Sequence, residues 1–435
     1  LGLDQWSYSK CLPYSKDLET SDRGSNEWRG GKGALGVRKG PDPNPIYDTF
    51  LVAGEQSGQG ITDDLNGFNP EGLSRLDATI SNGRRNSSAT TFLNPALKRD
   101  NIKLQKNILV EKIFLENDRA VGIEVSEKGQ KYRIEAEKEI ILSAGALNSP
   151  QILMLSGIGP ADHLRNIGSN VFHDLPGVGQ NLQDHATVSI SWECLKEFEA
   201  HKIDRPINKM MAGIKWIITR KGLAASNHFE AGGLIRGNDN VKYPNLQYHF
   251  GPTGFDYIGG KFKLSQAFTL QLDQLRPHSK GYLKLKSLNP KDSPEIKLNY
   301  FKDPRDIKEL TEGVKKMREL VSQPVFDKYR GKEISPGSEI QSDSEIEQAI
   351  RLNTITDYHQ CGTCAMGTDV NSVVDSEMRV KGINSLRVVD ASVLPNVVSG
   401  NIGAPVMMIA ARAADWILGK NQLEPLKANF KFDQI

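Results

Sequence analysis

The sequence is short of cysteine, of long apolar runs and of any excess charge, and each shortage removes a class of protein. Four cysteines in 435 residues, Cys11, Cys194, Cys361 and Cys364, are too few for a disulfide scaffold and point to a reducing, cytoplasmic compartment. With 55 basic against 53 acidic residues the net charge is only +2, so no general field attracts polyanions and nucleic acid is excluded as a partner. No segment is apolar for long enough to span a bilayer: the best candidate, VMMIAARAADWIL, is interrupted by Arg412 and Asp415. Contact at the periphery of the inner membrane stays open. The opening LGLDQWSYSKCLPYSK lacks the basic start and apolar core of a signal peptide, and lacks an initiating Met. Missing too is a GxGxxG turn after an early strand, by which a dinucleotide-binding chain brings backbone N–H groups against a pyrophosphate. No internal repeat, low-complexity tract or metal-ligating set is identified.

What is present is organisation along the chain. At this length, with 38% hydrophobic residues, two domains sharing an interface are expected. Residues 1–75, rich in Gly, Pro, Asp and Ser, read as loop and lid rather than core, apart from a short amphipathic segment near 46–57. From 100 onward, period-two runs broken by ENDR and EKGQ turns read as a strand meander. It ends in EIILSAG, a near-continuous apolar strand of the kind buried in a parallel sheet. SPQILMLSG follows as a helix capped by Ser149 with Pro150 at its first position. Across 190–355, half-exposed strands such as KYPNLQYHFGP and AFTLQLDQLRP mix with a helix whose apolar residues Ile307, Leu310, Val314, Met317, Leu320 and Val321 recur at helical spacing.

The last ninety residues carry DYHQCGTCAMG, which contains His359, and NSLRVVDASVLPNVVSGNIGAPVMMIAARAADWILG. The second block reads as a buried strand, a turn-rich loop with Pro395, Gly400 and Gly403, and a helix from Pro405 to Leu418 stopped by Gly419. Asp390 then sits at the carboxyl end of a strand, the ligand edge of an open α/β sheet. Asn401 lies on the loop before a helix N-terminus, where free N–H groups can face an electron-rich ligand. The CGTC spacing admits a thioredoxin reading. A redox CxxC follows a strand and opens a helix, however, whereas Gly367 and Thr368 follow here at once, so small residues packed beside a cofactor are expected.

These two blocks resemble the C-terminal signature of the glucose-methanol-choline (GMC) family of flavoprotein oxidoreductases. NGRRNSSATTFLNP, NILVEKIFLENDRAVGIEV, GALNSPQILMLSGIG (Gly145 to Gly159) and DLPGVGQNLQDH also resemble family stretches, in the same order, so the likeness covers nearly the whole chain. It implies an α/β fold of mixed α+β character: a Rossmann-like FAD-binding domain from 76–190 and 356–435, an antiparallel-sheet substrate-binding domain at 191–355, and a lid or connection at 25–75. In the family the glycine turn lies at the extreme N-terminus, so the sequence reads as a piece that begins after it. The implied cofactor is FAD, with Val110 beside the adenine half, Ala144 and Gly145 near the cofactor, Asp390 and Ala391 at the ribityl–pyrophosphate region, and Asn401 and Ile402 near the ring. An ordinary strand valine remains an equal reading of Val110. Asn181, Asp184 and His185 fall in a loop near the cofactor, with His185 read as structural.

Flavin-dependent alcohol oxidation needs a proton acceptor, a group that steadies the developing alkoxide, and a hydride path. The resemblance assigns the first to His359, whose imidazole suits the task. It assigns the second to Asn401, which can donate without titrating, although SGN is also plain turn chemistry. AASNHFEAGGLIRG and PNLQYHFGP resemble the choline-oxidising branch. A quaternary ammonium needs a carboxylate and aromatic faces, which singles out Glu230, with His249 lining the same pocket; a solvated strand charge is the other reading of Glu230. Gln360 stands where the family has proline, and GNIGAP departs from the usual GNTNAP or GNLNAP, which leaves pocket shape open. The resemblance therefore implies oxidation of a small primary alcohol, choline favoured, with a quinone or the respiratory chain as electron acceptor. An uncharged aliphatic alcohol, or a non-catalytic product on the same fold, are the rivals.

Overall fold

Two hydrophobic cores organise the chain, whose computed structural model describes residues 1–258 and 261–434. The first forms on an antiparallel sheet in the order Arg330–Ser335, Ala186–Cys194, Ala267–Gln274, Leu246–Gly251, Ala231–Ile235 and Gly72–Arg75, with Ile355–Thr356 pairing beside Ala186–Cys194. Period two in the sequence becomes alternation across this sheet. Val188, Ile190 and Trp192 turn inward with Leu270, Leu272 and Phe268 opposite. The helix Pro304–Val321 lies on the sheet and buries all six of its periodic apolar residues. Asp303 caps it by accepting from the N–H of Arg305, and Pro304 occupies the first turn.

The span 25–75 is not all lid. Helix Pro45–Gln56, capped by Asn44, sends Ile46, Tyr47, Phe50 and Ala53 fully into the same core, where Phe50 stacks on Phe250 at 4.6 Å. Gly72–Arg75 adds an edge strand to the sheet. The Gly- and Pro-rich flanks obscured both. One run in this span, Gly31 to Gly36, does have GxGxxG spacing, but it leads into the strand Leu35–Lys39 instead of a helix and so forms no dinucleotide turn.

The second core gathers the meander Leu109–Glu116, Arg119–Glu127 and Gln130–Glu135 with helices Gly145–Leu155 and Gly403–Ile417. Ile140–Leu142 pairs in parallel with Leu386–Val388. The apolar run did indicate parallel pairing, yet Ile141 is 44% exposed, because among the described residues this sheet has only those two strands. The helix expected to start at Pro150 begins at Gly145, leaving Ser149 and Pro150 inside it.

Candidate active site

Both parallel strands end at Asp390, and its carboxylate explains the early helix start. Oδ2 accepts from the Gly145 N–H at 2.9 Å and from the Ser149 hydroxyl at 2.5 Å, while Oδ1 accepts from the N–H of Ser392 at 2.8 Å and from its hydroxyl. Ser149 thus bonds to a buried acid in place of capping its own helix. Pro150 has no N–H, which leaves the Ala146 carbonyl without its helical donor. The Thr363 hydroxyl supplies one at 2.6 Å. Thr363 is the third residue of CGTC, and both flanking thiols are buried and free, burial pushing Cys361 up to about 12 and raising Cys364 likewise. Protonated, inaccessible thiols suit packing and not redox exchange.

His359 is held at three points. Its backbone N–H donates to Asp184 Oδ1 at 2.9 Å. Asp184 also accepts from Tyr300 and Thr356 hydroxyls, each at 2.5 Å, and from Gln360 Nε2 at 3.1 Å. Gln360, where family members have proline, therefore adds a donor to this clamp. Burial raises the Asp184 carboxyl, and the hydroxyl and N–H donors oppose that rise. On the ring, Nδ1 lies 2.9 Å from Asp357 Oδ2 and 3.0 Å from His185 Nδ1, and Nε2 lies 3.4 Å from Asn401 Nδ2. An amide N–H facing Nε2 leaves the lone pair there and puts the ring proton on Nδ1, which hydrogen-bonds His185 Nδ1 while Asp357 stands beside it as a charge. His185 is fully buried, and burial, aided by His359, lowers it to about 4, so it stays neutral near pH 7.

A second polar chain reaches the same point. Gln247 Nε2 donates to Asn401 Oδ1 at 3.0 Å and lies 3.3 Å from His249 Nε2, and His249 Nδ1 lies 2.8 Å from Asp273 Oδ2. Burial works to lower His249, but the Asp273 carboxylate outweighs it and raises the imidazole. Ligand atoms of His185, Asp357 and His359 lie within 4.8 Å of one another, a set that could hold a cation. The 3.0 Å contact is a hydrogen bond between the two rings, whereas Asp357 Oδ2, 2.9 Å from His359 Nδ1, is buried with no hydrogen-bond partner among the described residues.

A cavity of about 1240 Å³ opens in front of this array, lined by Asn401, Gln247, His249, Asp357 and Phe229 among others. Gly145, Gly400 and Gly403 stand beside open space, where an added Cβ would meet nothing within 4 Å. At Gly145 the Asp390 carboxylate already takes the first N–H, whereas the helix starting at Gly403 has no side-chain cap and borders the cavity. An uncapped helix start behind glycines suits a large group with an electron-rich edge, which fits FAD. Ala144, Gly145, Asp390 and Ala391 meet at one of these starts, Asn401 and Ile402 at the other, and Val110 lies on the strand that packs along the first helix. Asn181, at φ +58°, donates to the carbonyls of Gly362 and Pro395 and braces the loop.

Glu230 departs from expectation. It is 1% exposed, its carboxylate accepts from the Asp42 N–H, and it is not among the residues lining the cavity, which its neighbour Phe229 does reach. Of the acids that line the cavity, Glu19, Asp77 and Asp357, the one beside the histidine is Asp357, two residues before His359. Sequence reading also passed over Gln247 and Asp273. Gln247 and His249 share one strand face, a period-two signal that was available; Asp273 shows itself only through cross-strand register.

Comparison with known proteins places these features. Models described as GMC oxidoreductase match residues 1–187 and 277–410. Oxygen-dependent choline dehydrogenase 1 of Chromohalobacter salexigens is 41% identical over 433 residues, 99% of this chain and 77% of the relative. The mitochondrial choline dehydrogenase of Homo sapiens is 43% identical over 424 residues, 97% of this chain and 71% of that protein. The crystal structure of pyridoxine 4-oxidase from Mesorbium loti superposes with a TM-score of 0.84 at 26% identity, covering 96% of this chain and 78% of that one.

Proposed function

The chain belongs to the GMC oxidoreductase family, and on that premise we propose that it oxidises a primary alcohol with FAD as cofactor, choline to betaine aldehyde being the favoured reaction. The observation that carries the reading is the pairing of His359 Nε2 with Asn401 Nδ2 at 3.4 Å behind the cavity. A hydroxyl oxygen at the apex of that edge can stand about 2.9 Å from both, meeting one acceptor and one donor. His359 takes the hydroxyl proton. Asn401 Nδ2 donates to the oxygen as charge develops, its amide oriented by Gln247. Asp357 stands as a charge beside the imidazolium, and Asp184 fixes the histidine backbone. FAD, when bound, supplies the acceptor for the α-hydride.

For the ammonium of choline, Asp357 offers the carboxylate and Phe229 the aromatic face on the cavity wall. The inward turn of Glu230 supports the rival reading, an uncharged primary alcohol, if Asp357 serves only the histidine. The electron acceptor is proposed to be a quinone or a respiratory-chain component, and reoxidation rates in air with and without a soluble quinone test it. Anaerobic titration of the flavin-loaded protein with choline, followed at the oxidised flavin band, decides the substrate. Bleaching by choline supports the proposal; bleaching by neutral alcohols alone selects the rival; a band that no alcohol bleaches ends both.

A further inference from the structure

The helix Pro206–Thr219 is inside out. Ile207, Met210, Met211, Ile214, Ile217 and Ile218 are between 43% and 75% exposed, and no residue of the helix is buried. At about 100° per residue these six fall within an arc of roughly 120° facing solvent. The opposite side is anchored by Trp216, whose Nε1 donates to the Gly83 carbonyl at 2.6 Å while the guanidinium groups of Arg84 and Arg220 lie over its ring. The outward face is therefore fixed by packing beneath it.

Isolated apolar residues on a surface are ordinary, but a continuous row of six along one helix is not. Its flanks carry a second signal. From Arg205 to Gly222 there is no acidic residue, and Arg205, Lys209, Lys215, Arg220 and Lys221 are all basic, in a chain whose overall balance is only +2. A stripe of isoleucine and methionine with Lys215 at its edge, on a helix with basic residues and no acid, is the composition of a helix lying in a lipid interface.

We propose that Pro206–Thr219 docks this protein on the surface of an anionic bilayer. Its six apolar side chains enter the boundary between headgroups and acyl chains, and Lys215 and Lys221 meet lipid phosphates. A second copy is disfavoured as the occupant, because a two-fold contact would set the same cations face to face. Gly83 and Ala225, on which the helix rests, also line the cavity, so docking turns that side of the cavity toward the membrane. The inference does not depend on which alcohol is oxidised.

The test is co-sedimentation of the flavin-loaded full chain with phosphatidylcholine vesicles, with and without phosphatidylglycerol. The chain is expected to pellet with the anionic vesicles and to be released by high salt. Ile214→Asp combined with Ile218→Asp is expected to lower partitioning at least about tenfold, with an unchanged unfolding midpoint and turnover in vesicle-free solution. Lys215→Glu with Lys221→Glu should remove the preference for anionic lipid. Failure of the parent to pellet with either vesicle, or pelleting of the Ile214/Ile218 variant like the parent, overturns the proposal. So does light scattering that shows a dimer dissolved by the aspartates.

Discussion

A histidine that must accept a proton needs its lone pair aimed and its ring held, and four residues, Asp184, His185, Asp357 and Asn401, do that for His359. Replacing it by Gln keeps an amide at the site but no base; turnover is expected to fall by about 10²- to 10⁴-fold while the oxidised flavin spectrum is retained, measured by stopped-flow reduction. Asp357→Asn removes the negative charge that stands 2.9 Å from Nδ1 and steadies the imidazolium. A loss on the order of tenfold to a hundredfold in turnover follows, whereas Glu230→Gln, buried against the Asp42 backbone, should leave turnover near the parent value. If Asp357 also faces the substrate cation, its Asn variant raises KM for choline but not for a neutral alcohol, and steady-state kinetics on both alcohols separate the two effects. His359 and Asn401 were legible because the resemblance fixes them residue by residue. Asp357 stood in the same run yet went unread, since no periodicity says that a side chain two residues earlier folds back onto the same ring.

At the level of elements, the helix Gly145–Leu155 shows how a proline inside a helix is accommodated. Thr363 restores the donor that Pro150 cannot offer, and Thr363→Val should leave the Ala146 carbonyl buried and unpaired, costing about 1–3 kcal/mol. The denaturation midpoint reports this; a midpoint equal to the parent's would mean that another donor reaches the carbonyl. The expected start at Pro150 followed from the preference of proline for a first helical turn, which is sound locally. It failed because the bonds that open this helix come from Asp390, over two hundred residues away, and from CGTC. The helix Gly403–Ile417 was read correctly because everything that delimits it is local: Pro405 in its first turn and Gly419, at φ +66°, after its end. The helix Pro45–Gln56 was legible only as a short amphipathic segment, because its partners Phe250 and Leu73 lie in distant strands.

For the whole molecule, two cores meeting at a polar seam make the seam the place where pH acts on stability. The strand Ala186–Cys194 begins beside His185, and the histidine is buried neutral at the junction with the loop bearing His359. Its folded value, near 4, lies below the ordinary 6.5, so the unfolded chain takes up a proton first as the solution is acidified. The stability His185 contributes is thus complete above about pH 6.5 and is lost as pH falls toward 4, amounting to about 2 kcal/mol by pH 5. His249 runs the other way. Raised by Asp273, it contributes below the ordinary histidine value and loses that contribution as pH rises through its own. The difference between parent and His185→Gln isolates the first effect from the second. The parent should lose more stability between pH 7 and pH 5 than the variant does, as read from urea midpoints at the two values. Parallel losses in both proteins would mean that His185 takes its proton without unfolding the seam.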